Sequence, residues 1–194
     1  MIDAEIRRLD RVVQTLVDFS RPVELRLREL DLRDVIGDVL ALATEELSMR
    51  NVTLASKLPP SPAIANVDAD LLKQAVLNVI QNGAQAMPEG GKLDLILETD
   101  RKSAVLRILD EGVGIPDEIR EKIFDLYFTT KSEGSGIGLA MTYRILQLHH
   151  GSVEVQSRED RGTEFRFRIP LAAADWGRRY LQPAAYEQEK GLGE

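Results

Sequence analysis

Apolar residues recur along this chain with two periods, and the changes of period mark its elements. Ile2, Ile6, Leu9, Val13 and Leu16 step by 4, 3, 4 and 3, the heptad seam of a helix that packs on another helix; Glu5, Arg7, Arg8, Asp10 and Arg11 flank it. So short a seam does not stand alone in water, and the segment is expected to pair with a second copy or to dock on the core. Pro22 disfavours helical geometry at Arg21 and sets a boundary there. Leu32, Val35, Ile36, Val39, Leu40 and Leu42 predict a helix ending near Arg50. Val52-Thr53-Leu54 predicts a short strand, and Leu58-Pro59-Pro60-Ser61-Pro62 a loop. A helix capped by Asp68 or Asp70 runs to about Met87, where Pro88-Glu89-Gly90-Gly91 turns the chain. Leu93, Leu95 and Leu97 alternate with polar neighbours and Ala104 to Leu109 is an apolar run, giving two strands of a hairpin or meander. Glycine-rich turns fill 110–136 around a short helical piece, and Ile137 to His149 is a further helix with Gly151 as its expected C-terminal cap. Val153 and Val155, then Phe165, Phe167 and Ile169, form two more strands around a turn at Arg158 to Gly162. The chain thus divides into a helical segment (1–22), a core (23–170) and a tail (171–194). The tail is expected to be mobile, although Trp176 and Tyr180 can dock a short helix. Helices followed by a mixed set of strands imply an α+β two-layer sandwich.

Composition narrows the function. With 43% apolar and 29% charged residues, the 194-residue chain has the make-up of a globular domain. Its 25 Lys and Arg against 32 Asp and Glu leave a net charge of −7, which argues against a nucleic-acid face. A small anion remains accessible, because a helix N-terminus and one or two cations hold phosphate locally. The absence of cysteine removes disulfides, thiolate metal sites and thiol nucleophiles together. No stretch reaches the ~18 uninterrupted apolar residues of a membrane span, and no signal-peptide pattern follows Met1, so a cytoplasmic location is expected.

Three segments carry candidate chemistry. On the helix after Asp68, Gln74, Asn78, Gln81, Asn82 and Gln85 fall within an arc of roughly 100°, opposite an apolar face. A carboxamide oxygen ligates a hard cation without adding charge, and its NH2 donates to phosphate; a plain polar surface face is the other reading of the stripe. Asp110-Glu111-Gly112-Val113-Gly114 puts a carboxylate at a strand end, where it accepts from an exocyclic amine, beside glycines that allow close approach of backbone to a ligand. Lys131-Ser132-Glu133-Gly134-Ser135-Gly136-Ile137-Gly138-Leu139 delivers a pliable loop into a helix N-terminus, a ready phosphate site with a lysine charge beside it. Taken singly, each glycine segment is also explained by an ordinary turn or linker.

In unbroken order, the amide helix, Asp-x-Gly-x-Gly, Phe124 with Phe128-Thr129-Thr130-Lys131, Gly134-x-Gly136-x-Gly138-Leu139 and Gly162-Thr163-x-Phe165 resemble the ATP-binding domain of sensor histidine kinases. They match that family's N, G1, F and G2 boxes and its terminal Gly-Thr element over about residues 23–170. The amide helix and Phe-Thr-Thr-Lys look most like the nitrogen-regulatory type, and residues 1–22 resemble the end of the second dimerisation helix. The resemblance implies the Bergerat ATP-binding fold with ATP and Mg2+ as ligands. It implies that Asn82 ligates the metal, that Asn78 contacts the phosphates or the metal's water shell, and that Asp110 accepts from the adenine amine between Gly112 and Gly114, with Thr163 assisting. Residues 129–138 would form a lid that includes Thr129, Thr130, Lys131, Gly134, Gly136, Ile137 and Gly138; N–H groups of Gly136, Gly138 and Leu139 would meet phosphate. Asn78 and Lys131 are the candidate catalytic residues, and Phe124 and Phe128 are expected to pack the base of the lid. Ile137 stands for the usual leucine, the lid is short, and Gln85 occupies a place where many relatives carry a basic residue.

The same fold serves gyrase-type and mismatch-repair ATPases, which carry a water-activating glutamate at the position of Asn78. An amide cannot accept that proton, so phosphoryl transfer to a histidine is the expected reaction, with a nucleotide-binding regulator or an anti-sigma-type serine kinase as the alternative. The expected partners are a response regulator and a dimerisation domain bearing the phosphoacceptor, within a homodimer. The only histidines are His149 and His150, at a helix end and expected to be structural. The chain is therefore expected to bind Mg·ATP without phosphorylating itself, the acceptor lying before Met1 in a longer protein.

Overall fold

The computed structural model describes residues 24–131 and 134–172. The heptad seam, the boundary at Pro22, residues 132 and 133 and the tail from residue 173 lie outside the described residues. The elements are β1 (Arg28–Asp31), α1 (Leu32–Met49), β2 (Val52–Lys57), β3 (Ile64–Val67), α2 (Ala69–Gln85), β4 (Gly91–Thr99) and β5 (Ser103–Asp110). They continue with α3 (Asp117–Arg120), α4 (Gly138–Leu148), β6 (Ser152–Ser157) and β7 (Thr163–Pro170).

The alternation read from the sequence builds a five-stranded sheet in the order β2-β4-β5-β7-β6. β2 runs parallel to β4 and every other pair is antiparallel, which is the expected mixed sheet. Leu93, Leu95, Leu106, Ile108, Phe165 and Phe167 point to one face, where they are buried with Val76, Val79 and Ile80 of α2 and Ile145 and Leu146 of α4. The other face carries ions: Arg107 and Arg166 each reach Glu164 at 2.6 Å. Partial burial pushes Glu164 up, but the two guanidiniums outweigh it and hold the carboxyl at about 2.

Two strands escape the sequence pattern. β1 and β3, four residues each, pair antiparallel in a ribbon of their own, with Arg28 opposite Val67 and Asp31 opposite Ile64. Arg28-Glu29-Leu30-Asp31 has no apolar alternation; tertiary pairing makes it a strand. Asp31 then caps α1 by accepting from the Arg33 N–H at 3.0 Å, and it fixes the ribbon by accepting from the Ala63 N–H at 3.1 Å. Of the two candidate caps for α2, Asp68 fills the role: it accepts from the N–H groups of Asp70 and Leu71 at 3.2 Å.

The end of α4 corrects one expectation. His150, not Gly151, takes the left-handed conformation, with φ 55°. The Gly151 N–H closes the helix on Leu146 O at 2.8 Å. A side chain at 151 would come within 2.4 Å of Arg168 O, so the glycine answers a close approach of backbone rather than a dihedral.

His149 is 3% exposed, as its structural role requires. Its Nε2 accepts from the Asp68 N–H at 2.9 Å, so Nδ1 carries the proton and donates to Ile145 O at 2.7 Å. Burial lowers its pKa, against the opposing pull of the Ile145 carbonyl and the Asp68 charge. A histidine held neutral by folding contributes stability above its ordinary value of 6.5 that is lost as pH falls below it. Urea denaturation is therefore expected to show stability falling between pH 7 and 5, with the slope flattened in His149→Gln; identical slopes would remove His149 as the cause.

Candidate functional site

The amide stripe of α2 splits when folded. Gln81 turns away and donates to Glu46 of α1 at 3.3 Å, and Gln74 is exposed. Asn78, Asn82 and Gln85 face the segment between α3 and α4 and are tied to it at both ends. Asn78 Nδ2 donates to Gly138 O at 3.1 Å, where Thr142 Oγ1 also donates at 3.0 Å. Lys131 Nζ donates to Asn82 Oδ1 at 2.9 Å and to Gln85 Oε1. A helix spacing of i, i+4, i+7 thus spans the distance between a lysine and a helix start.

The segment is pinched at its base. Tyr127 N–H donates to Gly136 O at 2.9 Å, and both residues have positive φ, 68° and 67°. A Cβ at 136 would lie 2.4 Å from the Tyr127 carbonyl carbon, so only glycine fits there. Thr129 Oγ1 accepts from the Lys131 N–H at 3.1 Å, and Gly134 N–H donates to Lys131 O at 3.2 Å. Thr130 is exposed. Phe124 and Phe128, expected at the base of the lid, pack against the hydrophobic core, Phe124 edge-on to Phe165 with ring centres 6.5 Å apart. Ile137 precedes α4 without a side-chain cap, so it offers no side-chain acceptor to the first N–H groups of that helix, Gly138 and Leu139 among them.

Asp110 ends β5 directly opposite Thr163 of β7. Its Oδ1 accepts from the Gly112 N–H at 2.9 Å. Burial raises its pKa, opposed by the nearby N–H groups of Gly112 and Thr163 and by the Lys131 charge. The Lys131 residue is exposed as a whole, but its ammonium is turned in against α2; this desolvation lowers its pKa, and the Asp110 charge opposes the shift. Gly83 lies under the carboxylate: a Cβ there would be 3.3 Å from Asp110 Oδ2. A Cβ on Gly112 would meet that of Ala86 at 2.6 Å, and one on Gly114 (φ 74°) would meet Arg158 O at 2.1 Å.

Sequence reasoning missed Gly83 and Ser157. Glycine inside a helix costs about 1 kcal/mol against alanine, so its position one residue after Asn82 signals close approach. Ser157 gave no signal, yet its buried hydroxyl accepts from the Ile115 N–H at 2.8 Å and lies 2.9 Å from Thr163 Oγ1. It thereby locks the Asp110 loop to β7. On the strand-end side of Asp110 and Thr163 opens a depression of about 530 Å3, lined by Arg120, Arg158 and Arg161 but by none of the α2 amides.

Among the described residues no group of three or more His, Cys, Asp or Glu is placed to hold a metal. A cation here would take a single neutral protein oxygen, Asn82 Oδ1, which already receives the Lys131 ammonium. That donor set suits Mg2+, which keeps several waters and takes other ligands from substrate phosphates.

Residues 67–173 match the family described as histidine kinase-, DNA gyrase B-, and HSP90-like ATPase. The chain is 33% identical over 175 residues to sporulation kinase D of Bacillus subtilis (strain 168), covering 90% of this chain and 35% of that protein. It is 32% identical over 167 residues to sensor histidine kinase ZraS of Escherichia coli (strain K12), covering 86% and 36%. It therefore spans about a third of the length of these relatives. The catalytic domain of histidine kinase ThkA is similar in structure, with a TM-score of 0.69, 30% identity, and coverage of 75% of this chain and 96% of that one. ThkA in complex with the response regulator TrrA gives a TM-score of 0.73 at 28% identity, covering 88% and 49%.

Proposed function

Because the chain belongs to the histidine kinase-, DNA gyrase B- and HSP90-like ATPases, as a histidine-kinase type of ATP-binding catalytic domain, we propose that it binds Mg·ATP and passes the γ-phosphate to a histidine. That histidine sits on a dimerisation domain and hands the phosphate on to a response-regulator aspartate. The observation that carries transfer over hydrolysis is Asn78, whose amide donates to Gly138 O where a hydrolase of this fold needs a carboxylate.

The residues divide the work by chemistry. Asp110, already accepting from the Gly112 N–H, accepts a further proton donor from adenine; Gly83 and Gly112 let the Asp110 loop pack closely on α2, which fixes where that carboxylate points. The uncapped N-terminus of α4 and the Lys131 ammonium receive phosphate oxygens. Asn82 Oδ1 holds the cation, and Asn78 fixes the start of α4 relative to it. Bound Mg2+ would offset charge between phosphates. Positioning then supplies most of the catalysis, since a neutral imidazole needs little activation.

A cytoplasmic kinase acting within a homodimer completes this reading; among the described residues no helix is long and apolar enough to cross a membrane. Of the chain's histidines, His149 is buried and bonded through both ring nitrogens. Incubated with [γ-32P]ATP, the 194-residue polypeptide is expected to take up no acid-labile phosphate. It is expected to label an added dimerisation domain bearing a phosphoacceptor histidine. Self-labelling, or rapid phosphate release without an acceptor, would overturn the assignment.

A further inference from the structure

Lys131 Nζ sits on two carboxamide oxygens at once, Asn82 Oδ1 at 2.9 Å and Gln85 Oε1. The first is the atom assigned above to the metal. Two cations on one carbonyl oxygen repel each other at close range, so a divalent ion and this ammonium compete for Asn82. Gln85, nearly one helical turn further on, gives the lysine a second acceptor that leaves Asn82. We propose that Gln85 is the positioning residue that takes the Lys131 ammonium when a metal claims Asn82, so that Lys131 serves as the cation for metal-free nucleotide and yields that place to Mg2+.

The inference rests on the reading of the site as a Mg·ATP site. The geometry carries it because the ammonium bridges the two acceptors and need only release one. A carboxamide suits this role better than a charge: a basic residue at 85 would repel Lys131, and a carboxylate would hold it against the nucleotide. It also accounts for a neutral amide at a position where, by the resemblance, many relatives carry a basic residue.

The test is the ratio of nucleotide affinity with Mg2+ to that in EDTA, measured by fluorescence with a ribose-labelled ATP analogue on the whole chain. In Gln85→Leu, displaced Lys131 has no second acceptor. The Mg2+ form is expected to weaken about three- to tenfold while the metal-free form is unchanged, lowering the ratio. In Lys131→Met the metal-free form weakens most and the ratio rises. In the double variant the effect of Gln85→Leu disappears, because the two residues act as a unit. A ratio unaffected by Gln85→Leu, or a Gln85→Leu effect that persists without Lys131, would overturn the inference. Failure of the unaltered chain to bind nucleotide under either condition would instead overturn the functional assignment.

Discussion

Asp110→Asn is expected to weaken ATP binding about 30- to 100-fold while the protein stays folded. The carboxylate accepts from the Gly112 N–H, and adenine brings a second donor to it. An isosteric amide must aim its NH2 at one of these donors, so it either loses a backbone bond or rejects the base. Stability responds differently. Burial raises the Asp110 pKa, so ionisation costs the folded state at pH values above the ordinary carboxylate value of 3.8 and less as pH falls. The neutral amide removes that cost, and its unfolding free energy at pH 7 should stay within about 1 kcal/mol of the parent. Calorimetric titration and urea denaturation measure the two effects separately. Undiminished affinity would place the base elsewhere.

Asn82→Ala is expected to abolish the gain in affinity that Mg2+ provides and to lower phosphotransfer to an added dimerisation domain by about 100-fold. Asn82 Oδ1 and Gln85 Oε1 are the two described carboxamide oxygens that receive the Lys131 ammonium, and the resemblance assigns the metal to Asn82; alanine there leaves the helix intact because it is the best helix former. Titration in Mg2+ and in EDTA should give nearly equal constants for this variant. If Mg2+ still tightened binding as in the parent, the metal would have a different ligand. Asn78→Ala should differ: it releases Gly138 O from α2 and so reports on the placing of α4 rather than on the metal.

How far the sequence was legible follows from where the information lies. The alternation of Leu93, Leu95 and Leu97 and of Phe165, Phe167 and Ile169 is local, and these strands formed as read. Asn78 and Asn82 were legible because a helix fixes which side chains share a face. The same rule could not say that Gln81 turns to Glu46 while Gln85 turns to Lys131, since 100° of arc covers both the site and the neighbouring helix. The ribbon of β1 and β3 was hidden because each strand takes its conformation from the other. Ser157 was hidden for a similar reason: its three contacts come from Ile115, Gly162 and Thr163, and only the fold gathers them. At Gly151 the residue type was read correctly and its cause was not, because contact with Arg168 is a property of β7.

One joint has mechanical weight. Asp68 accepts from the Arg26 N–H at 2.9 Å, caps α2 with its other carboxylate oxygen, and donates its own N–H to His149. The segment that leads into β1, the helix of the amides and the foot of α4 are therefore riveted at one residue. Tension applied along the segment at Arg26 would tilt α2 as a stiff lever, carrying Asn82 about 21 Å away along its axis. Input from a neighbouring region could so adjust the grip on nucleotide with no change in any side chain that touches it.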